Sequence, residues 1–169
     1  AMGRAMDDVI ITSFDAAAST GETGSGSTVF DTNQDVAVSI GGADTNMNLT
    51  KLREAKKLLD QADVDPSIPR YIVVGPAQIH ALLADTSVTS ADFNTVKALV
   101  QGEINEFMGF NFIMSNRLAV DASNVRTCFA FAQEGITLGI GKDVSARVDE
   151  RADKGYATQV YYCMDIGAT

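Results

Sequence analysis

Histidine occurs once in this chain, at position 80, and cysteine only twice, at Cys128 and Cys163. A single histidine excludes a His–His metal site and leaves one side chain suited to general-base work near neutral pH. His80 follows Ile79 on a short helical stretch, with no Cys or Ser at a diagnostic spacing. It reads as a structural histidine, solvent-facing or hydrogen-bonded. The cysteines lie in apolar, strand-like stretches without partners at metal-ligand spacing, and read as small buried hydrophobes of a reducing compartment. A disulfide between them stays open at this level. Basic residues are scarce too: 13 Lys and Arg stand against 22 Asp and Glu, for a net charge of −9 and a pI near 4.4. Nucleic-acid binding needs a basic patch to displace counterions. The densest basic group, Lys51, Arg53, Lys56 and Lys57, has Glu54 and Asp60 among it at helical spacing and reads as a solvated helix face. No apolar run approaches the roughly 20 residues of a spanning helix, and no basic-then-apolar leader is visible.

Several motifs are approached and missed. Ser19–Thr28 is a small, polar, glycine-rich run expected to be a loop, and it lacks the Gly-x-Gly-x-x-Gly order of a phosphate cradle. In Gly135–Asp143, five residues separate Gly135 from Gly141, and Asp143 stands where a phosphate loop needs Ser or Thr. That stretch is expected to be a strand with a turn at Gly141-Lys142. Asp60, Asp63 and Asp65 cluster near a loop but lack the central Gly and closing Glu of a calcium site. Asp149–Lys154 mixes signs and reads as an exposed connection between strands. Asn48-Leu49-Thr50 matches a glycosylation acceptor but has no secretory context. There is no serine-hydrolase elbow. No metal site and no cofactor are expected.

The 169 residues, 46% of them hydrophobic, suffice for about one domain. An amphipathic helix is expected over Met2–Ala18, its stripe of Met6, Val9, Ile10, Phe14 and Ala17 opposing Arg4, Asp7, Asp8 and Asp15. A short strand is expected at Val36–Ile40, closed by Gly41-Gly42. Thr50 or Asn48 is suited to cap a helix carrying Leu52, Ala55, Leu58, Leu59 and Ala62. Asp63–Pro69 breaks it. Tyr71–Val74 is a run of β-formers expected to be buried on both faces, and Pro76 suits the first turn of a helix with Ile79, Leu82 and Leu83. Ser87–Ala91 offers caps for a further helix through Phe93, Val96, Leu99 and Val100, kinked at Gly102, continuing past Ile104, Phe107 and Met108 and ending at a left-handed Gly109. Strand-like alternation then runs through Phe110, Phe112 and Met114, through Val125, Thr127, Phe129 and Phe131, and through Ile136–Ile140, Val144–Val148 and Thr158–Ile166.

This order of elements resembles the major capsid protein of tailed bacteriophages. Met2–Ala18 is similar to that family's spine helix, and Leu49–Ala62 to the helix leading into its axial domain. Ile68–Leu83 resembles its strand, Pro-containing turn and short helix, and Phe107–Asn116 its Gly-led strand. Phe129–Ile140 resembles the strand pair near its end, and Asp149–Ile166 its acidic turn and long closing strand. The resemblance implies an α+β chain of HK97-type capsid fold with a long spine helix, a peripheral-domain sheet and an axial α/β domain. Peripheral residues would be 1–62 and 142–169, axial residues 63–141. The family's N-terminal arm and extended loop are absent, and both edges look like cuts, so a piece of a longer polypeptide is expected. By resemblance the chain is not an enzyme but a structural subunit of an icosahedral shell, assembling into pentamers and hexamers around the genome. Its partners would be copies of itself, with scaffolding, portal or decoration proteins as further ones. Neither specific nucleic-acid binding nor membrane contact is implied. Its place would be the virion, after assembly in the bacterial cytoplasm. Ring contacts are expected at the axial-tip loops, Asp85–Ala91 and Ala119–Asn124, with Asp85, Thr86, Ser87, Thr89, Asp121 and Asn124 as contact residues. Two rivals are an encapsulin-like shell, and a small α/β enzyme using His80 and acidic loop residues.

Overall fold

The computed structural model describes residues 2–40, 44–84 and 106–169, which fall into two compact units, residues 1–29 with 136–169 and residues 30–135. The expected helix from Ser87 to Ile104, the glycines at 41 and 42, and the contact residues Asp85, Thr86, Ser87 and Thr89 lie outside the described residues.

In the second unit, α2 (Leu49–Gln61) starts at Asn48, whose side chain accepts from the Lys51 backbone N–H, so Asn48 rather than Thr50 is the cap. Leu49 and Leu52 are its buried positions. Lys57 meets Glu54 at 2.9 Å on the outward face. After Asp63, left-handed at φ 58°, the chain enters β3 (Arg70–Val74), whose Ile72, Val73 and Val74 are buried as expected. Pro76 opens α3 (Pro76–Ala84), where a missing N–H costs nothing. A tight hairpin follows, β4 (Glu106–Phe107) and β5 (Phe110–Met114). Its two linking residues, Met108 and Gly109, both have positive φ (54° and 82°), the backbone a two-residue hairpin of this twist needs. Gly109 is thus left-handed as expected, but Phe107 belongs to a strand and ends no helix. Pairing with Phe110 outweighed a helical spacing.

The sheet order is β4-β5-β3-β6, with β6 at Phe129–Ala132. β3 runs parallel to β5, with Arg70 opposite Phe110, and antiparallel to β6, with Tyr71 opposite Phe131. These last two rings stack at 5.7 Å. Leu49, Leu52, Ile72, Val74, Leu82, Phe107 and Phe110 form the core between helices and sheet. Two expectations fail in this unit. Val36–Ile40 forms a coil and a turn, because a five-residue apolar run makes a strand only where a partner takes its hydrogen bonds. The alternation from Val125 becomes a strand only at Phe129, since Val125 and Arg126 close a turn against Val120 and Asp121.

In the first unit, α1 (Met2–Ser13) stops five residues short of Ala18. Near its end Thr12 Oγ1 donates to the Asp8 carbonyl and Ser13 Oγ to that of Ile10, each at 2.7 Å, the second taking an acceptor that a further turn would use. Residues 18–28 are not a loop throughout: β1 (Ala18–Thr20) pairs with β2 (Gly26–Thr28), turning through Gly21 and Gly24 at φ 86° and 66°. The dominant element is a long ribbon, β7 (Leu138–Arg151) paired antiparallel with β8 (Ala157–Ala168), and α1 lies against β8. The expected turn at Gly141-Lys142 is instead a bulge inside β7, with register shifts between Ile140 and Ser145. A Cβ on Gly141 would sit 3.2 Å from Asp165 Oδ2, so the bare backbone allows this approach. The connection at the far end is also shorter than expected: Asp149–Arg151 stay in the strand, and Gly155 and Tyr156, both left-handed, reverse the chain.

Candidate functional site

The sequence-level candidates for chemistry stand apart from one another among the described residues. His80 is exposed on α3. No cluster of metal-ligating side chains exists among the described residues. The acidic group of the α2 terminus is dispersed into structural roles. Asp60 pairs with the buried Arg70 at 2.6 Å, and Arg70 Nη2 donates to the Val64 carbonyl at 3.0 Å. Asp65 accepts from the Ser67 N–H at 2.8 Å, which holds its carboxyl below the usual carboxylate range. A shallow cleft of about 370 Å³ lies beside them, lined by Lys56, Asp60, Asp63 and Arg70. Its cations are largely engaged: Lys56 Nζ donates to the Met108 carbonyl at 3.3 Å, and Arg70 is held through both terminal nitrogens, its buried Nε alone lacking a partner. A single unpartnered Nε is not a convergent set of donors for a ligand. Cys128 is half-buried, and that burial pushes its thiol up; both cysteines are free.

Of the expected contact residues, Asp121 and Asn124 are described, and the structure brings them together in one turn. Asp121 Oδ1 accepts from the Ser123 and Val125 N–H groups, each at 2.8 Å. The Asp121 N–H donates to the Val125 carbonyl, and the Asn124 N–H to that of Asp121. Asn124 sits at φ 62°, a conformation its short amide side chain tolerates. The turn is anchored from below by Arg126, which donates to Asn116 Oδ1 at 3.0 Å and packs against Gly75. A Cβ at Gly75 would lie 2.7 Å from Arg126 Cδ and 2.6 Å from Gln78 Oε1, so any larger residue would push these side chains aside. The result is a stiff, exposed polar loop. It suits recognition and has no reactive group.

The other unsatisfied surface was not singled out from sequence. Val144, Val148, Val160 and Tyr162 of the ribbon are all exposed. Paired residues share a face, so Ala146 with Tyr162 and Val148 with Val160 make one apolar face. Arg147 with Tyr161 and Asp149 with Gln159 make the polar one. The signal was present as two-residue alternation in Val144–Val148 and Val160–Met164. Sequence cannot show, however, that these side chains stay exposed among the described residues.

A helix–sheet unit with a mixed four-stranded sheet and a second unit built on a long two-stranded ribbon define the class: the fold matches solved phage structures. One is a structure of Mycobacterium phage Che8, with a TM-score of 0.59 and 17% identity over 95% of this chain and 51% of that one. Another is the capsid structure of the Cyanophage P-SCSP1u, with a TM-score of 0.55 and 16% identity over 95% of this chain and 54% of that one. The chain thus spans about half the length of these neighbours. A sequence profile described as phage capsid protein matches residues 1–169, and the chain belongs to that family. Among curated proteins there is no match.

Proposed function

We propose that this chain is a structural subunit of an icosahedral phage capsid that self-assembles into pentamers and hexamers enclosing the genome, and that it catalyses no reaction. The observation that carries this reading is the family match over residues 1–169, joined to a fold shared with a phage capsid structure. Its partners are copies of itself in capsomers, with scaffolding, portal or decoration proteins as further ones, and its place is the virion, assembled in the bacterial cytoplasm. Residues 1–62 and 142–169 act as the peripheral domain and 63–141 as the axial domain. The discontinuous division into two compact units supports this organisation, although α2 packs with the second unit. Rings close when heterologous contacts repeat at a permitted angle. We assign such contacts to Asp85, Thr86, Ser87 and Thr89 and to the Asp121–Asn124 turn, whose rigidity and exposure suit the role. A net charge of −9 keeps the subunit from adhering to packaged DNA.

Negative-stain imaging and light scattering of this chain, and of a version extended at both ends, test the reading. Rings or shells from either form support it. A discrete small oligomer or monomer from both overturns it. Lysine at Asp121 and Asn124 should block ring formation; unaltered rings would remove these residues from the contact.

A further inference from the structure

The outer edge of β7 has the pattern of a strand built to pair with itself. In the described sheet β7 is hydrogen-bonded to β8 alone, so its other edge pairs with no described strand. Free edges are usually blunted by charge or bulges. Here the bulges stop at Ser145, and from Ser145 to Arg151 the ladder is regular. A two-stranded ribbon is marginal on its own. Val148 and its partner Val160 are 67% and 66% exposed. The ribbon also carries little of the chain's charge of −9. Residues 138–168 carry four basic and five acidic side chains, a net of −1.

The charges on this edge are ordered. Arg147, Asp149 and Arg151 alternate in sign on one face of β7, with Val148 between the first two on the other face. Antiparallel pairing about a two-fold axis at Val148 sets Val148 against Val148, Arg147 against Asp149, and Asp149 against Arg147. Arg151 then faces Ser145, and Glu150 faces Ala146, so no like charges oppose within the regular segment Ser145–Arg151. Beyond it, past the bulge and the end of the strand, the same register would bring Asp143 toward Asp153. Centring the axis one residue earlier or later sets Arg147 against Arg147 or Asp149 against Asp149. The register is therefore specified by repulsion as well as attraction.

We infer that the outer edge of β7 pairs antiparallel with the same edge of a second copy of this chain, centred on Val148. The contact is isologous and extends two ribbons into one four-stranded sheet. It rests on the capsid-subunit reading for its occupant, and it supplies a two-fold link between subunits that is distinct from the ring contacts.

Two experiments on the whole chain test it. Val148→Cys places two sulfurs across the axis, where opposite Cα atoms lie about 4.5–5.5 Å apart, within disulfide range. Oxidation should give a covalent dimer whose peptide map links position 148 to position 148. Charge exchange then separates pairing from general repulsion, read by sedimentation velocity. Arg147→Asp should weaken self-association about tenfold or more. Asp149→Arg should weaken it as well, although it makes the chain less acidic. The double exchange, Arg147→Asp with Asp149→Arg, should restore association to within about threefold of the parent. Absence of the 148–148 link, or a double exchange as weak as the single ones, overturns the inference. Shells that form without the link discard the edge pairing and keep the capsid reading. The link without rings or shells, from this chain or its extended form, keeps the pairing and discards the capsid reading.

Discussion

Phe110 is fully buried where β5 begins, among Leu52, Ile72, Val74, Leu82 and Phe107, so Phe110→Ala tests whether this cluster is the energetic centre of its unit. A buried phenylalanine removes about 150–250 Å² from water, and at about 25 cal/mol per Å² that corresponds to about 4–6 kcal/mol. Alanine keeps the first carbon, but the vacated volume adds a cavity term, so the expected loss is about 3–5 kcal/mol. Against a domain stability of about 5–15 kcal/mol this leaves the unit marginal. The chain has no tryptophan, so equilibrium urea unfolding is best followed by circular dichroism. With a slope of about 2 kcal/mol per M, the midpoint should fall by about 2 M while the slope itself is unchanged. Phe110→Leu, which keeps most of the volume, should cost about 1 kcal/mol. A midpoint shift below about 0.5 M for the alanine variant refutes the reasoning, because it means that the core does not depend on this ring.

Asn48→Ala should destabilise the protein by about 1 kcal/mol in the same assay, and Asn48→Asp should restore most of it, because it keeps the acceptor for the Lys51 N–H and loses only the exposed donation to Thr45 Oγ1. Gly75→Ala should cost about 1–3 kcal/mol, since its Cβ meets both Gln78 and Arg126; adding Arg126→Ala should recover part of the loss, and equal stability of the two variants would contradict the clash. The Arg151 hydrogen bond holds the Asp153 carboxyl below its usual range, so it favours the folded ribbon tip above the ordinary carboxylate pKa. That contribution disappears as pH falls through the lower, folded value, and amide exchange at 152–156 should quicken there in the parent and not in Asp153→Asn. Burial raises the Cys128 thiol, so at pH 8–9 iodoacetamide should modify it more slowly in the folded than in the urea-unfolded chain, with peptide mapping as the readout.

Features carried by neighbours in sequence were legible without a structure. Tyr71–Val74 followed by Pro76 reads as strand and helix start because β-propensity and the missing proline N–H act within a few residues. α2 and its cap, and the left-handed Gly109, are local in the same sense. The order of such elements was enough to suggest the capsid family. Only tertiary structure decided what depends on distant partners. Phe107 takes strand form because it pairs with Phe110, and Val36–Ile40 stays irregular because it pairs with no described strand. Two expected strands merge into β7 because β8 offers one continuous ladder across a bulge at Gly141. The parallel match of Arg70 to Phe110 and the closure of the Asp121–Asn124 turn on itself were equally hidden. So was the exposure of Val148 and Val160, because alternation marks an apolar face but burial depends on what else packs there. Periodicity and propensity are summed along the chain, whereas backbone hydrogen bonds and apolar contacts are satisfied in space, and the second account overrules the first wherever they disagree.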